Sequence, residues 1–179
     1  QTLDAEYVVN NYSESELSKI LYLYGEEKNA RQIARKIVKQ REKSPIKTTF
    51  QLRDIVVSSY PPKFQNKPSL CNKAFQAIRI EVNNELHDLE LAVEKMLQKL
   101  KKCGRLCTIT FHPLEDRIVK STFKLHATDC ICPPRIPKCV CNHKADIRLI
   151  TKHPIIPTEA ETNENSRASS AKLRIAEKL

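Results

Sequence analysis

The sequence that decides the fold reads RLCTITFHPLEDRIVK over residues 105–120. Its first part, Arg105 to Phe111, is a short apolar run with β-branched side chains, which predicts a buried parallel strand. Pro113 suits the first turn of a helix, because its missing amide proton would be unpaired there anyway. The stretch therefore predicts a strand that leads directly into a helix, as in α/β sheets.

Four chemically capable side chains follow this strand, namely His112, Glu115, Asp116 and Arg117. In open α/β sheets, ligands bind just past the carboxyl ends of the strands, so these residues are candidate catalytic groups. A structural role is the alternative: His112 caps the helix, the two acids complement its dipole and Arg117 pairs internally. Spacing alone favours the structural role, because the three consecutive side chains fan around one helical turn.

The regions around the quoted stretch predict further helices and strands. Apolar residues at 3-4-4 spacing indicate one long helix from about Lys73 to Lys102. Two strand-like segments lie downstream, at Asp146–Thr151 and Leu173–Ala176, with a polar, acidic connector between them. The order helix, strand, helix, strand, strand predicts the C-terminal half of an α/β sheet, not a complete one.

Residues 1–70 predict a small, basic, all-helical unit. A capping box at Ser13–Glu16 begins one helix, a second is expected at residues 26–41, and a third opens at Thr48. Cations on one face of the second helix can track RNA phosphates and release counterions, although charged faces often serve only solubility. These cations are Lys28, Arg31, Arg35 and Lys39.

The composition narrows the classes of function. A net charge of +10 over 179 residues favours a polyanionic partner, nucleic acid before membrane, unless the lysines only reflect genome composition. Two glycines exclude a glycine-rich phosphate loop within these residues. No apolar run approaches the roughly 18 residues of a membrane span, so no membrane partner is expected. Seven cysteines without a secretory signal indicate a reducing compartment.

Four of the cysteines stand in two close pairs within a proline-rich loop at residues 128–144. Four thiolates can hold zinc tetrahedrally, and His143 is a further candidate ligand. The C-x-C pairs are tighter than the usual C-x2-C spacing, which slightly favours reduced cysteines without a metal. Both alternatives stay open on the sequence. The residues concerned are Cys130, Cys132, Cys139 and Cys141.

Three blocks, in chain order, resemble the MraW family of methyltransferases: Phe75–Leu86, Thr110–Lys120 and Asn165–Glu177. The resemblance implies S-adenosylmethionine-dependent methylation of a cytosine N4 in small-subunit ribosomal RNA. It also implies an all-helical inserted subdomain at residues 1–70 and the C-terminal part of a Rossmann-like methyltransferase domain at residues 71–179. The family's glycine-rich cofactor turn has no counterpart here, so no cofactor-binding residue is expected in this chain.

The resemblance further implies roles for single residues. His112 and Glu115 become candidates for contacts with the target base or its proton, whereas Pro113 replaces a family serine and removes a hydroxyl. Arg79 and Asn83 share a helix face and are implied to approach the active-site cleft, with a solvated helix surface as the alternative. The candidate RNA-binding residues of the resembling blocks are Arg79, Asn83, Arg167 and Lys172.

The expected protein is therefore part of a ribosomal RNA methyltransferase that acts on the small ribosomal subunit and is inactive without its cofactor-binding half. A non-catalytic RNA-binding or ribosome-assembly protein is the alternative, and a zinc-stabilised interaction module is a third. Half a sheet leaves an exposed edge and an apolar face, which predicts a homodimer or association with the missing half. The expected location is the bacterial cytoplasm, or an organellar matrix in a eukaryote.

Overall fold

A computed structural model of the chain describes residues 3–133 and 138–179, except for the side chain of Pro68. The described residues form two compact units, the first ending at Glu85 and the second beginning at Leu86. The division falls later than the sequence-based boundary at residue 70, because the helix that follows that boundary packs with the first unit.

The first unit is helical throughout its described secondary structure. Short 3-10 segments at Pro62–Phe64 and Pro68–Cys71 connect its last two helices. Buried aliphatic side chains from every one of its α-helices meet in a single core, of which Leu17, Ile33 and Val56 are fully buried members. The α-helices are α1 (Ala5–Asn11), α2 (Glu14–Leu23), α3 (Ala30–Arg41), α4 (Thr49–Ser58) and α5 (Asn72–Asn83).

Two of these helices begin with capping boxes, where the sequence predicts a box at Ser13 and a helix start at Thr48. The Ser13 amide donates to the Glu16 carboxylate at 2.7 Å, and the Glu16 amide donates to the Ser13 hydroxyl at 3.2 Å. Thr48 and Gln51 exchange the same pair of bonds at the start of α4. Each box satisfies amides that have no partner within the helix, so both predicted starts are confirmed.

The prediction of one long helix after residue 72 is wrong. The chain forms two helices there, α5 and α6 (Glu85–Lys99), separated by Asn84 in the left-handed conformation with φ 52°. Asparagine is one of the few residues besides glycine that adopt this conformation readily. The apolar spacing continues across the break, so the periodicity did not reveal it.

The second unit combines helices with a small sheet. After α6 come β1 (Arg105–Thr110), α7 (Pro113–His126), β2 (Ile147–Leu149), α8 (Glu159–Glu164) and β3 (Lys172–Lys178). The strand order is β1-β3-β2, and both pairings are antiparallel. The described residues are thus of mixed helix and sheet composition, which is compatible with the predicted α/β class.

Within the described residues β1 does not form the predicted buried parallel strand. Among the described residues β1 pairs with β3 alone, in antiparallel register that sets Ile109 opposite Leu173. The side chains of Cys107 and Ile109 are exposed, whereas Thr110 is buried. A β-branched run is shared by buried and edge strands, so composition alone did not distinguish them.

The core of the second unit lies between its two longest helices and the sheet. Val93 and Leu97 of α6 pack with Val119 and Phe123 of α7, and Ile147 of β2 joins them. This cluster packs α7 against α6 and the sheet. Within residues 3–133 and 138–179, every helix is too short or too polar to cross a bilayer.

Candidate functional site

The junction between β1 and α7 is organised by His112 and Glu115. His112 is the N-cap of α7, and its Nδ1 accepts the Glu115 amide at 3.4 Å. The Glu115 carboxylate in return accepts the amides of Phe111 and His112, at 2.8 and 3.3 Å. This is a capping box with histidine in the place of the usual serine or threonine.

The outer nitrogen of His112 is buried in this arrangement. Nε2 lies 3.0 Å from Glu115 Oε1, but the contact lacks hydrogen-bond geometry and Nε2 has no hydrogen-bond partner. The imidazole side chain is 11% exposed. Because Nδ1 accepts the Glu115 amide, a neutral ring carries its hydrogen on Nε2, and this buried N–H can still donate one hydrogen bond.

Asp116 forms an ion pair with the sheet. Its carboxylate accepts two hydrogen bonds from Arg174 on β3, from Nε at 2.6 Å and from Nη2 at 3.0 Å. Hydrogen bonding to Arg174 is the main reason that the pKa of Asp116 lies below its usual value. Both residues are buried, so the pair joins α7 to the sheet and keeps Asp116 ionised.

The other candidates at this end of the unit differ in their surroundings. Lys172 begins β3, and its Nζ lies 3.6 Å from Asp116 Oδ2. Arg117 is exposed on α7, and Arg167 is exposed in the 3-10 segment Ser166–Ser170. The fold therefore gathers His112, Glu115, Asp116 and Lys172 around the start of α7.

Arg79 and Asn83 contact a common partner in the first unit. The Arg79 guanidinium donates to both carboxylate oxygens of Glu85, at 2.8 and 3.0 Å. The Asn83 side-chain amide donates to the same carboxylate at 2.9 Å. These contacts brace the turn between α5 and α6, which gives both residues a structural role at the left-handed Asn84.

The predicted cationic stripe is only partly gathered by the fold. Lys28 precedes α3, which begins at Ala30 and not at residue 26 as predicted. Lys28 and Arg31 line an open groove of about 1210 Å³ between α2 and α3, together with Lys19. Arg35 and Lys39 lie further along α3, and Arg35 Nε is 3.7 Å from Glu14 Oε1 in an exposed ion pair.

The same groove contains an aromatic side chain that the sequence interpretation overlooked. Tyr22 lies among the groove-lining residues and is 65% exposed. An exposed aromatic ring beside lysine and arginine is the combination on which single-stranded nucleic acids stack. The available signal was that Tyr22 falls outside the apolar stripe of α2, so the helix core does not account for it.

A second overlooked residue is His126, at the C-terminus of α7. Its Nδ1 and Nε2 lie 2.8 Å from Asp146 Oδ1 and 2.8 Å from Glu94 Oε2. Burial alone would lower the pKa of His126, but the hydrogen bonds with Glu94 and Asp146 raise it above its usual value. Lys178 Nζ also donates to Asp146 at 2.7 Å, so the group links α6 and α7 to the sheet.

The four paired cysteines come together, although residues 134–137 of the predicted loop lie outside the described residues. The Sγ atoms of Cys130, Cys132, Cys139 and Cys141 all lie within 4.8 Å of one another. The amide of His143 and then that of Ile131 lower the pKa of the Cys141 thiol to about 6. His143 itself is not in this group, and its Nδ1 lies 2.8 Å from the Thr128 carbonyl oxygen.

The described residues do not form a binding site for a nucleotide-type methyl donor, because such a site needs a glycine-rich turn after a strand. The two glycines serve close backbone packing instead. A Cβ at Gly25 would lie 2.6 Å from the Lys73 carbonyl oxygen, and one at Gly104 would lie 2.7 Å from that of Lys101. The turn after β1 holds Phe111 and His112 and contains no glycine.

Comparison with known proteins covers the full chain. The model of the MraW methylase family matches residues 1–179. A ribosomal RNA small subunit methyltransferase H from Caldicellulosiruptor saccharolyticus is 52% identical over 178 residues, which are 99% of this chain and 57% of that protein. Proteins of the same name from Halothermothrix orenii and Clostridium botulinum are 48% and 51% identical, over 100% of this chain and 58% of their own length. The chain thus spans somewhat more than half the length of these relatives.

Proposed function

Because this chain belongs to the MraW methylase family, we propose that it is the RNA-docking and C-terminal part of an enzyme that methylates small-subunit ribosomal RNA. The observation that carries the proposal is the match over the whole chain to relatives named for that activity. The proposed reaction transfers a methyl group from S-adenosylmethionine to the N4 amine of a cytosine. The proposed location is the bacterial cytoplasm, because the relatives of this name come from bacteria.

The proposed RNA contact is the groove between α2 and α3. Lys19, Lys28 and Arg31 are exposed there and supply positive charge for phosphates, and Tyr22 supplies a ring for a base. Glu14 also lines the groove and dilutes its charge. The chain's net charge of +10 adds long-range attraction for RNA.

The proposed contact with the target base lies at the start of α7. Methylation of an exocyclic amine requires that the nitrogen be held in place and that a polar group take its proton. The proposed role of His112 is to donate a hydrogen bond from Nε2–H to the target base, because it alone among the four predicted side chains keeps a buried polar atom without a hydrogen bond. Asp116 is a positioning residue, since Arg174 already occupies both of its oxygens.

The proposed partner of β1 is the additional polypeptide that the longer relatives possess. β1 has an unpaired edge among the described residues, and Ile109 and Phe111 are 59% and 56% exposed. A free edge beside exposed apolar side chains is a surface that proteins normally cover. That additional part would contain the glycine-rich turn that binds the methyl donor, which is absent from the described residues of this chain. A homodimer through the same edge is the competing outcome.

The function is tested by methylation of small-subunit RNA with the full-length protein and isotopically labelled S-adenosylmethionine. Nucleoside mass spectrometry is expected to detect N4-methylcytidine. Residues 1–179 alone are expected to bind no methyl donor by calorimetry and to gain activity when the remaining part is added. A full-length protein that binds the donor but leaves ribosomal RNA unmodified would overturn the proposal.

The role of His112 is tested separately, because its capping role must be kept. His112→Asn retains a good N-cap, so the free energy of unfolding should change by no more than about 1 kcal/mol. If His112 contacts the base or its proton, this variant loses methylation at least tenfold. Unchanged methylation by a stable His112→Asn protein would reduce His112 to a helix cap.

A non-catalytic RNA-binding or ribosome-assembly role is the second candidate function. One observation favours it: Glu115 and Asp116 are both committed to structural bonds within the second unit. The methylation assay decides between the two, because both functions predict RNA binding and only one predicts a modified nucleoside.

A further inference from the structure

We propose that Cys130, Cys132, Cys139 and Cys141 bind a single zinc ion as four thiolates. All four Sγ atoms already face one another in the second unit, and all are free thiols. The cysteines lie outside the proposed RNA groove, so the zinc proposal can be tested independently of the proposed methylation activity.

The sulfur–sulfur distances match a tetrahedral zinc site. A Zn–S bond of about 2.3 Å sets the thiolates of a regular tetrahedron about 3.8 Å apart. Cys139 Sγ lies 3.5 Å from both Cys130 Sγ and Cys141 Sγ, and 4.0 Å from Cys132 Sγ. Cys141 and Cys130 are 3.9 Å apart. A disulfide would need about 2.05 Å, so these spacings suit an enclosed ion and not a covalent bond.

The ends of the loop are already fixed close together. The Asp146 amide donates to the His126 carbonyl at 3.0 Å, and the Ala145 amide donates to the Asp129 carboxylate at 3.2 Å. His143 Nδ1 lies 2.8 Å from the Thr128 carbonyl oxygen. These contacts bring the two C-x-C pairs in from opposite arms of the loop. The tight spacing within each pair is therefore no obstacle, because each arm needs to supply only two ligands.

The surroundings suit deprotonated sulfur. Four thiolates and one zinc ion carry a net charge of −2, and four protons leave as the metal enters. The Val140 amide points at Cys132 Sγ with a distance of 3.4 Å. Backbone amides directed at ligand sulfurs are the usual outer contacts of thiolate metal sites and offset part of that charge.

The ligand set selects the metal. Soft thiolates in tetrahedral array favour zinc or iron over calcium and magnesium, which prefer oxygen. A 4Fe–4S cluster would place each thiolate on a different iron, and a 2Fe–2S cluster would divide them two and two. Either cluster needs some of the sulfurs further apart than 4.8 Å. All four positions of a single zinc would be filled by protein, which makes the site structural and not catalytic. Its effect would be to fix the loop between α7 and β2.

The test is the metal content of the full-length protein, purified under reducing conditions without chelator. We expect about one zinc ion per chain, since a single tetrahedral site needs all four thiolates. Cys139→Ser removes a sulfur that lies within 4.0 Å of the other three and should abolish zinc binding. Cys103→Ser is the matched control, because Cys103 is an exposed thiol outside the cluster. It should keep its zinc.

A second measurement guards against misfolding of the Cys139→Ser protein. The wild-type protein is stripped with a chelator and titrated with cobalt, which gives intense visible absorption in a tetrahedral thiolate site. Zinc should then displace the cobalt and abolish that absorption. Failure of the reduced wild-type protein to take up either metal would overturn the proposal, as would iron in place of zinc or retention of zinc by Cys139→Ser.

Discussion

The guanidinium group of Arg174 donates to both carboxylate oxygens of Asp116, at 2.6 and 3.0 Å, across 58 residues of sequence. Both side chains are almost wholly buried, with 12% of the Asp116 side chain and 9% of the Arg174 side chain exposed. Removal of one partner from such a pair leaves the other as a buried, uncompensated charge. The pair is therefore expected to be a main determinant of how α7 packs on β3.

Asp116→Ala should destabilise the protein by about 3 kcal/mol, because Arg174 would stay buried without its carboxylate. Denaturant unfolding of the full-length protein measures the loss. Arg53→Ala is the control, since Arg53 forms an exposed pair with Asp54 at 2.8 Å and should contribute less than about 1 kcal/mol. Equal losses for the two variants would contradict the structural role of Asp116.

The pair also shows what the sequence could and could not predict. Helix starts are local, so the capping boxes at Ser13 and Thr48 were visible in a window of four residues. The Asp116–Arg174 pair and the pairing of β1 with β3 depend on residues far apart in the chain. Nothing in the run Arg105–Thr110 specifies whether its neighbour is parallel or antiparallel.

The sequence predicted which residues belong to the candidate site but not which contacts they make. The sequence shows that polar residues follow β1. Only the fold shows that His112 and Glu115 form hydrogen bonds with each other, whereas Asp116 forms hydrogen bonds with Arg174 of the sheet. Likewise, spacing identified four cysteines, but their mutual distance depends on contacts at the base of the loop. Tyr22 was missed because its position beside Lys28 and Arg31 depends on how α2 packs with α3, although it falls outside the apolar stripe of α2.

His126 should make the stability of the protein depend on pH near neutrality. Hydrogen bonds with Glu94 and Asp146 raise its pKa in the folded state, and Lys178 lies on the far side of Asp146. A histidine with a raised pKa stabilises the folded protein fully at pH values below its pKa in the unfolded chain, about 6.5. This stabilisation is lost as the pH rises through the higher pKa of the folded state. The stability of the wild-type protein relative to His126→Gln should therefore be greatest below that pH.

Unfolding free energies of the two proteins between mildly acidic and mildly alkaline pH measure this difference. The imidazole protons of His126 can be followed by NMR in the same range, and their midpoint should lie above that of an ordinary histidine. A wild-type advantage that grows with rising pH would show that the two carboxylates do not hold the histidine in its charged form.

Neutralising the basic side of the groove should weaken the salt dependence of RNA binding. The double variant Lys28→Gln/Arg31→Gln is expected to reduce the slope of log affinity against log salt by roughly 0.7 for each lost phosphate contact. The control is Lys120→Gln/Lys124→Gln, which removes two exposed cations from α7. An unchanged slope in the groove variant, or the same change in both, would place the RNA elsewhere.

Tyr22 should contribute to RNA affinity through its ring and not through its hydroxyl. The side chain is 65% exposed in the groove, so its removal is expected to cost little folding stability. Tyr22→Ala should weaken binding of single-stranded RNA by about 1–3 kcal/mol, the usual contribution of one stacked base. Tyr22→Phe keeps the ring and should bind almost as well as the wild type. Titrations at a fixed salt concentration compare the three proteins. Equal weakening by both substitutions would point to a hydrogen bond from the hydroxyl, and no weakening by either would remove Tyr22 from the RNA surface.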